Sequence, residues 1–567
     1  MNAAASDGTH TTLRLDKTEA VAGRGMVASK HRAASKAGLE MLQAGGNAVD
    51  AAVAAALAVG VVEPFSSGIG GGGYAVAATG GTVEVVAFPM QACALATPAR
   101  YPLDGRANVT NFLWQGVVND ANVYGYDAMA IPGAVAGLSL LLRRRGLLPW
   151  REVLQPAIRL ARDGCAVEWY TAFALGRYAA AAARAKDLAR IFYPGGVAPQ
   201  PEHFEPPVLR QPELAGTLDT LARDGPDAFY RGDIAQAVAD DCAAHGGVLR
   251  RDDLAQYEAR IAEPLRTAYR GAAVYTTGPG SAGPTTAQTL RLYERLVAPG
   301  AAHGAPERLH AFLWAARLAQ ADRFAYMADP ERQPAPWAGL VSDAYAAERA
   351  RRFDPAAAPS EDTPGDAWAF AGDVRSERQG KGPASTTHLC AADREGGMVA
   401  LTNTLMSAWG SEVVPQGTGI VWNNGMLWFD PVPGRPASIA PRARGLNNMS
   451  PLIVLGERGP RAGLGASGGR RITNCVCQLI VHLQDFGLGM QAAIAAPRVD
   501  ASTPWITVDA RFGDAVVAAL RNRGWDVRVP PFPEQSAFAS PVGIVRDLDG
   551  TLHGGVDVFH SAEAWGW

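Results

Sequence analysis

The pattern of apolar positions near the start of the chain predicts a pair of helices. Residues 29–44 place apolar side chains at helical spacing, and Gly45-Gly46 can end that helix as a C-cap. Asn47 and Asp50 then stand where a helix N-terminus needs capping side chains, ahead of the alanine-rich run 51–62. We therefore predict two consecutive helices joined by a Gly-Gly-Asn turn.

The remaining pattern divides the chain into a helical middle and a strand-rich end. Alternating apolar residues from 74 to 88 predict strands, and helical spacing with intervening turns runs from 137 to about 330. Residues 352–384 are rich in Pro, Gly and charge without periodicity, which is typical of a linker. After it the pattern predicts strands, one helix over 473–486 and a hairpin turn at Asp549-Gly550.

Composition and charge fit a folded protein that does not bind nucleic acid. Of 567 residues, 48% are hydrophobic and 19% are charged, so a sizeable core can be buried, in several domains or in one large layered unit. Lys and Arg number 52 against 55 Asp and Glu, which gives a net charge of -3. Such a chain has no basic excess with which to release counterions from a phosphate backbone.

The cysteines and the N-terminus give no sign of a metal site, disulfides or a membrane span. The six cysteines include no C-x-x-C pair and no Cys/His metal spacing, so we predict neither a metal site nor a disulfide framework. Residues 1–25 are polar and small, and we expect a flexible arm without a signal sequence. The longest apolar run, 51–62, is shorter than the roughly 20 residues that span a bilayer, so we expect a cytoplasmic protein.

Five glycines within the six residues Gly68–Gly73 match the G-x-G-x-x-G spacing of a dinucleotide loop. That loop needs a strand before it and a helix after it, whereas here a strand pattern follows. The lysine of a phosphate-binding P-loop is also missing. We therefore predict close backbone packing at these glycines rather than nucleotide binding.

Thr386 stands where the linker meets a predicted strand. Thr-Thr-His in such a position is typically structural, because threonine favours strands. Alternatively, cleavage between Ser385 and Thr386 would free an α-amine beside the threonine hydroxyl, and an amine with a pKa of about 8 can act as the base for that hydroxyl. Downstream, Thr404 can donate a hydrogen bond to the hydroxyl, and the glycine N–H groups of residues 465–469 suit an oxyanion.

Other residues around this segment have two interpretations each. His388 shares a strand face with Thr386 and would suit a Thr-His dyad, but we interpret it as a packed structural histidine. Asp322-Arg323 on a predicted helix favours an internal salt bridge over a substrate clamp. Two interpretations, packing in the core and lining the pocket, remain open for Trp409, Trp422 and Trp428.

Several segments together resemble the γ-glutamyltransferase family of N-terminal-nucleophile hydrolases, in order and in approximate spacing, over roughly residues 26–567. They are AGGNAVDAAVAAALAVGVVEPFSSGIGGGGY, IPGAVAGL, LPWREVLQPAIRLARDG, FYRGDIAQAV with GGVLRRDDLAQYEAR, TTH, LNNMSP and ASGGRRI. The resemblance implies an α+β fold, the four-layer αββα sandwich of these hydrolases, made as a proenzyme. A large α-rich subunit, 26–385 with a linker at about 353–385, and a small subunit, 386–567, would form one αββα unit.

The resemblance also implies the catalytic residues. Cleavage between Ser385 and Thr386 would make Thr386 the nucleophile, and Thr404 would support it. The backbone N–H groups of Gly468 and Gly469 would form the oxyanion hole. No cofactor is implied.

The chain departs from the family where a γ-glutamyl substrate's amino-acid head would bind. The replacing residues are Pro89 for the carboxylate-binding arginine, Met406 for an asparagine, Gly425 and Trp428 for a glutamine and an aspartate that hold the α-amine, and Asn447 and Asn448 for a serine pair. The lid loop is shortened and lacks its tyrosine, so we expect a more open site. A site without charge partners should not desolvate a zwitterionic head.

We therefore predict a self-processing amide hydrolase or acyltransferase with an acyl group other than γ-glutamyl. Its partners would be a small-molecule amide, and water or an amine as acceptor; a homo-oligomer is left open. The alternatives are a glutathione hydrolase or γ-glutamyltransferase with substitute contacts, and a catalytically silent scaffold of the same fold. The intact Thr386, Thr404 and Gly468-Gly469 argue against the scaffold.

Arg470 directly follows the oxyanion glycines, where the family has a small hydroxyl residue. In one interpretation it points away from the site and forms a surface or inter-subunit ion pair. In the other, its planar guanidinium reaches the vacated pocket and binds an acyl-chain carboxylate through two hydrogen bonds. The second interpretation predicts a preference for dicarboxylic monoamides.

Overall fold

The computed structural model describes residues 15–107, 114–200, 205–297, 300–371, 385–530 and 537–567. Its strands are β1 (Ala20–Ala22), β2 (Gly25–Ser29), β3 (Gly72–Thr79), β4 (Thr82–Phe88), β5 (Cys165–Ala166), β6 (Val208–Leu209), β7 (Arg260–Ala262), β8 (Leu265–Tyr269), β9 (Ala272–Thr276), β10 (Ser385–Asp393), β11 (Met398–Met406), β12 (Leu452–Gly456), β13 (Gly459–Ser467), β14 (Val499–Asp500), β15 (Ile506–Val508), β16 (Val527–Arg528), β17 (Ser540–Arg546), β18 (Leu552–Val556) and β19 (Glu563–Gly566).

The helices lie mostly between β4 and β10. They are α1 (Arg32–Gln43), α2 (Ala48–Val62), α3 (Ala134–Arg145), α4 (Trp150–Val153), α5 (Gln155–Asp163), α6 (Trp169–Arg177), α7 (Ala180–Arg184), α8 (Lys186–Phe192), α9 (Pro212–Asp224), α10 (Asp227–Tyr230), α11 (Asp233–Ala244), α12 (Arg251–Ala255), α13 (Gly283–Leu296), α14 (Pro306–Tyr326), α15 (Trp337–Leu340), α16 (Asp343–Ala350), α17 (Arg471–Asp485), α18 (Met490–Ala495) and α19 (Asp514–Asn522). None of the helices in the described ranges is long and apolar enough to cross a membrane.

Two seven-stranded antiparallel sheets form the centre of the described structure. The first sheet has the order β19-β2-β10-β11-β3-β4-β7, and the second has the order β1-β18-β17-β13-β12-β9-β8. The sheets pack face to face, with β10 and β11 against β13 and β17. The core between them draws side chains from both sheets, including Met26, Val76, Cys390, Ile453 and Ile544.

Helices cover the outer face of each sheet. The buried helix α2 packs on β10 and β11, while α1 and α3 flank it on the same sheet. On the other side α13 and α17 pack on β8 and β13, and α14 packs against α13. Two further apolar cores fill these interfaces. The layers are helix, sheet, sheet, helix, which confirms the predicted α+β, four-layer αββα sandwich.

The predicted helix pair is present, and side chains cap the second helix. The Asn47 side chain accepts hydrogen bonds from the N–H groups of Val49 and Asp50. Asp50 Oδ2 in turn accepts one from the Asn47 N–H at 2.7 Å, which completes a capping box. Asp50 Oδ1 also accepts hydrogen bonds from Leu147 at 3.0 Å and Leu148 at 2.9 Å, so it ties a distant loop to the helix.

The second half of the chain also follows the pattern. The helix expected over 473–486 is α17, which begins two residues earlier, and the turn at Asp549-Gly550 joins the antiparallel strands β17 and β18. Gly550 has a φ of +95°, a left-handed conformation that favours glycine in such a turn.

Three expectations drawn from the pattern need correction. The helical middle is interrupted by β7, β8 and β9, because short strands between helices carry too few alternating positions to stand out. The expected arm is shorter than 25 residues, since β1 pairs with β18 and Lys17 Nζ donates to the His560 carbonyl at 2.8 Å. Residues 1–14 lie outside the described ranges.

The first half of the expected linker is attached to the body of the protein. Trp314 Nε1 donates to the Ala357 carbonyl at 3.0 Å, and the Gly365 N–H donates to Asp322 Oδ1 at 2.8 Å. Arg317 pairs with Asp362 at 2.8 Å. The rest of the linker, residues 372–384, lies outside the described ranges.

Asp50→Ala should destabilise the fold, because three backbone N–H groups lose their carboxylate acceptor in a buried place. We expect a loss of about 3 kcal/mol in the free energy of unfolding. Urea denaturation would measure this loss, with both variants made in the Thr386→Ala background so that the chain stays in one piece. Asp219→Ala, which replaces an exposed aspartate, is the control. Equal denaturation midpoints for the two variants would contradict this role of Asp50.

Candidate active site

Thr386 lies at a β-bulge at the start of β10. Ser385 is opposite Met406 and Thr387 is opposite Asn403, so the two strands advance by different numbers of residues around Thr386. A bulge disrupts the ladder locally and redirects a side chain. Thr386 is 3% exposed, and it lines a cavity of about 430 Å³.

Thr404 lies across the ladder from this bulge. Its Oγ1 accepts a hydrogen bond from the Met406 N–H at 2.8 Å. Met406 has a φ of +88°, a conformation that costs a non-glycine residue about 1–3 kcal/mol and persists where the surroundings hold it. The Thr404 hydroxyl therefore fixes the turn that ends β11 next to Thr386.

The glycine-rich segment packs against the same strand. A Cβ on Gly71 would collide with the Thr404 carbonyl, and a Cβ on Gly73 would collide with the Thr402 carbonyl. The segment leads into β3, which pairs with β11. Close backbone approach explains these glycines, as predicted, and no helix follows to receive a pyrophosphate.

Gly468 and Gly469 form the turn between β13 and α17. Their φ values are +136° and +67°, which lie in the region that favours glycine. Gly468 lines the cavity with Thr386, and the chain enters α17 two residues after Gly469. The backbone N–H groups of such a turn, next to a helix N-terminus, suit a negatively charged oxygen.

The cavity around Thr386 combines positive charge with aromatic surface. Its cations are Lys30, Arg177 and Arg471. Its aromatic residues are Phe65, Tyr170, Phe173, Tyr178, Phe538 and Phe559. Lys30 Nζ lies 3.7 Å from Glu63 Oε2 in a buried pair, and burial raises the pKa of Glu63. Arg471 Nε donates to the Gly468 carbonyl at 3.0 Å, which ties this cation to the glycine turn.

The positions of the replaced head clamp lie in the core, not in this cavity. Met406 and Trp428 belong to the apolar core between the sheets, at 0% and 1% exposed. A Cβ on Gly425 would approach Ala130 Cβ within 2.7 Å, and the Pro89 carbonyl accepts a hydrogen bond from Tyr257. Large apolar side chains therefore fill the space at these positions.

Asn447 and Asn448 are also buried, and their side chains make internal hydrogen bonds. Asn447 Nδ2 donates to Tyr74 Oη at 3.1 Å and to the Gly280 carbonyl at 2.9 Å. Asn448 Oδ1 accepts from Arg323 Nη2 at 3.1 Å. Neither lines the cavity of Thr386.

Arg470 points away from the cavity. Its guanidinium lies 4.7 Å from the Phe324 ring centre, which is a cation–π contact with α14, and burial lowers its pKa to about 10. Arg470 therefore does not reach the cavity, and its contact is with an aromatic ring of α14 and not the surface or inter-subunit ion pair of the other interpretation. The neighbouring Arg471, the first residue of α17, lines the cavity instead.

Asp322 forms an internal salt bridge, as predicted, but its partner is Arg349 and not the adjacent Arg323. Asp322 pairs with Arg349 at 3.2 Å, while Arg323 Nη2 donates to the Asn447 carbonyl at 2.5 Å. Adjacent residues on a helix point in different directions, so i and i+1 charges do not face each other. Burial lowers the pKa of Arg323 to about 9.

His388 and the three tryptophans are structural. His388 Nδ1 lies 2.9 Å from Thr402 Oγ1, and burial lowers its pKa to about 3, so it is neutral as the packed-histidine interpretation requires. Trp409, Trp422 and Trp428 are buried, and none of them lines the cavity. Trp409 packs behind Phe65, which does line it.

Sequence reasoning missed Lys30, Arg177 and His560, all of which line the cavity. Lys30 directly follows β2 and His560 precedes β19, and these strands are the next two after β10 in the first sheet. Only the strand order brings Lys30 and His560 close to Thr386. Within the described ranges, no cluster of His, Cys, Asp or Glu could hold a metal ion.

Curated relatives match almost the whole chain. It is 36% identical over 545 residues to the acylase ACY 1 proenzyme of Pseudomonas sp. (strain SE83), covering 95% of this chain and 93% of that protein. It is 32% identical over 559 residues to the glutathione hydrolase proenzyme of Escherichia coli (strain K12), covering 94% and 90%.

A solved structure and a family profile agree with these relatives. The crystal structure of cephalosporin acylase from Bacillus halodurans superposes with a TM-score of 0.86 at 28% identity, covering 99% of both chains. The profile described as Gamma-glutamyltranspeptidase matches residues 34–567. The chain therefore belongs to the γ-glutamyltranspeptidase family of amide hydrolases and acyltransferases.

Proposed function

We propose that this protein cleaves its own chain before Thr386 and then hydrolyses amides through an ester on the Thr386 hydroxyl. The observation that carries the proposal is the cavity that Thr386 shares with the glycine turn at Gly468. The relatives that are named proenzymes support the cleavage.

Cleavage would leave the sheets intact. The large subunit would contribute β2, β3, β4 and β7 to the first sheet, and the small subunit would contribute β10, β11 and β19. Because β10 pairs with β2 and β11 pairs with β3, the two pieces would remain joined by backbone hydrogen bonds. In proportion to length, they would be roughly 40 and 19 kDa of the 59.5 kDa chain.

In each turnover the new α-amine of Thr386 takes the proton of its own hydroxyl, and the hydroxyl oxygen attacks the substrate amide. The N–H groups of Gly468 and Gly469 hold the resulting oxyanion. The leaving amine takes the proton as the C–N bond breaks. Water, or an acceptor amine, then attacks the ester and releases the acyl group.

The side chains around Thr386 support a particular class of acyl group. The head-clamp positions hold buried apolar residues, so a γ-glutamyl ammonium would be desolvated without a partner. The cavity instead offers three cations beside aromatic walls, which suits an acyl chain that ends in a carboxylate and lacks an α-amine. The similarity to an acylase and a cephalosporin acylase supports an acyl group other than γ-glutamyl.

Glutathione hydrolysis is the second candidate, because glutathione hydrolases are among the relatives at above 30% identity. It would require contacts to the α-amine that replace the buried clamp. A substrate comparison therefore separates the two candidates.

Thr386→Ala should remain one chain of 59.5 kDa, since no hydroxyl is left to attack the Ser385 carbonyl. Thr387→Ala is the matched control, because that hydroxyl is buried without a hydrogen-bond partner among the described residues and should not be needed. Denaturing gels and the N-terminal sequence of the small fragment would report cleavage. Cleavage at the same bond in Thr386→Ala would refute the assignment.

Thr404→Ala should slow both self-cleavage and turnover by on the order of 10²-fold, because the hydroxyl positions the turn beside the nucleophile. Thr404→Ser keeps the hydroxyl and should stay within about threefold of the wild type. Single-turnover and steady-state rates would be compared. Unchanged rates in the alanine variant would remove Thr404 from the site.

Glutaryl 4-nitroanilide should be hydrolysed with a higher kcat/KM than its γ-glutamyl and valeryl analogues, by about tenfold for one retained ion pair. Arg177→Gln should abolish the advantage over the valeryl compound, since Arg177 is an exposed cation of the cavity. Arg471 and Lys30 are poorer test sites, because each also makes a structural contact. Arg471 donates to the Gly468 carbonyl, and Lys30 pairs with Glu63.

Arg162→Gln is the control for Arg177, because Arg162 is an exposed arginine paired with Asp219 outside the cavity. It should leave the ranking of the three substrates unchanged. A wild-type preference for the γ-glutamyl compound would favour glutathione hydrolysis instead.

A further inference from the structure

The base that starts self-cleavage cannot be the base that serves turnover. Before cleavage the nitrogen of Thr386 belongs to the peptide bond with Ser385, and an amide nitrogen has no free lone pair for a proton. The α-amine becomes available only after the bond has broken. If the chain cleaves itself as proposed above, another group must accept the proton of the Thr386 hydroxyl.

We propose that His560 is this base. His560 lines the same cavity as Thr386, and its place follows from the strand register. Leu389 of β10 is opposite Ser29 of β2, and Ser29 is opposite Glu563 of β19. Thr386 precedes Leu389 by three residues, and His560 precedes Glu563 by three.

Both residues therefore lie at the same edge of the first sheet, beyond the stretch in which β10 and β19 pair with β2. Because β10 and β19 are both antiparallel to β2, the two strands run in the same direction. Strands β10 and β19 are two strand spacings apart, or about 10 Å between backbones. An imidazole and one water molecule can bridge such a gap, and transfer through one water is an accepted geometry for a general base.

The hydrogen bonds of His560 place its free lone pair on Nε2. Nδ1 lies 2.7 Å from Asp557 Oδ1 and 3.1 Å from Ser540 Oγ. Because a carboxylate only accepts, we assign the proton to Nδ1, which donates it to Asp557. The Phe559 N–H donates to the same carboxylate oxygen at 2.9 Å, which fixes its position. Nε2 has no hydrogen-bond partner among the described residues, and the ring lies 4.2 Å from that of Tyr170.

The electrostatic surroundings keep the imidazole neutral. Burial lowers the pKa of His560 to about 4, the charges of Lys30 and Lys17 lower it further, and Asp557 opposes them. Arg177 and Arg471 also line the cavity. At neutral pH the ring is therefore in the form that can accept a proton.

Lys30 is the competing group, because it directly follows the strand between β10 and β19. Its ammonium pairs with Glu63 and has no lone pair while it is protonated. It can stabilise negative charge but cannot take the proton. His560 is the remaining acceptor of the cavity that is neutral and held by a carboxylate.

The step balances as follows. The hydroxyl proton of Thr386 passes through water to His560 Nε2, and Oγ1 attacks the Ser385 carbonyl carbon. The C–N bond then breaks, and the imidazolium returns the proton to the departing nitrogen, which leaves an ester and a free amine. One water hydrolyses the ester, giving the Ser385 carboxylate and the Thr386 hydroxyl.

The first test compares His560→Gln with His553→Gln. His553 pairs with Glu19 and Asp547 outside the cavity, so its variant should cleave at the wild-type rate. We expect His560→Gln to slow self-cleavage by about 10²- to 10⁴-fold. Added imidazole should partly restore cleavage in His560→Ala, which a merely structural role would not allow.

The second test separates maturation from turnover. Residues 382–385 would be replaced by the recognition sequence of a site-specific protease, so that added protease frees Thr386. In this background His560→Gln should lose far less turnover than the uncut variant loses self-cleavage, because the α-amine then serves as base. Turnover also shows that the variant is folded.

Each outcome is decisive. Wild-type cleavage rates in His560→Gln, or no rescue by imidazole, would overturn the assignment. So would a loss of turnover in the protease-released His560→Gln chain that is as large as its loss of self-cleavage. If the protease-released parent itself hydrolyses no amide, the proposed function is wrong. The role of His560 in self-cleavage is then still tested by the cleavage rates of its variants.

Discussion

The antiparallel ladder that β10 forms with β2 and β11 is the interaction on which the rest of the structure depends. It aligns the start of β10 with the end of β2 and with the turn after β11, so Thr386, Lys30 and Met406 meet at one edge of the sheet. The same ladder joins segments on both sides of the proposed cleavage point. A chain can be cut there without losing its core, because the hydrogen bonds that hold it run between strands and not along them.

The family's substrate head clamp has become part of the core in this chain. Met406, Trp428 and their neighbours fill the space between the sheets, and the asparagines and Arg323 satisfy one another in place of a ligand. Filling a polar pocket with close-packed apolar groups stabilises the fold and excludes a zwitterion. The cavity that Thr386 lines is instead bordered by aromatic rings and three cations.

Sequence patterns predicted those features that depend on neighbours along the chain, and missed those that depend on strand order. The Asn47 cap, the close backbone packing of Gly68–Gly73 and the strand at Thr386 follow local rules or the family resemblance. The sequence left two directions open for Arg470, because one residue of helix turns a side chain by about 100°. In the structure Arg470 faces α14, and the next residue, Arg471, faces the cavity. The strands β7 to β9 and the place of His560 emerge only when the sheets are assembled.

If Thr386 is the nucleophile as proposed, the positive charge of the cavity would act on it as well as on the substrate. Once cleavage frees the Thr386 amine, Lys30, Arg177 and Arg471 would surround it, and nearby positive charges disfavour a protonated amine. The amine would then be more often in the form that accepts the hydroxyl proton. A substrate carboxylate would then bind to these same cations and neutralise their charge, after the Thr386 amine has lost its proton. In this arrangement the groups that select the acyl chain also prepare the base, so replacing one cation would alter turnover as well as selectivity. His560 would stand apart from this coupling, because its proposed role in self-cleavage would end when the amine appears.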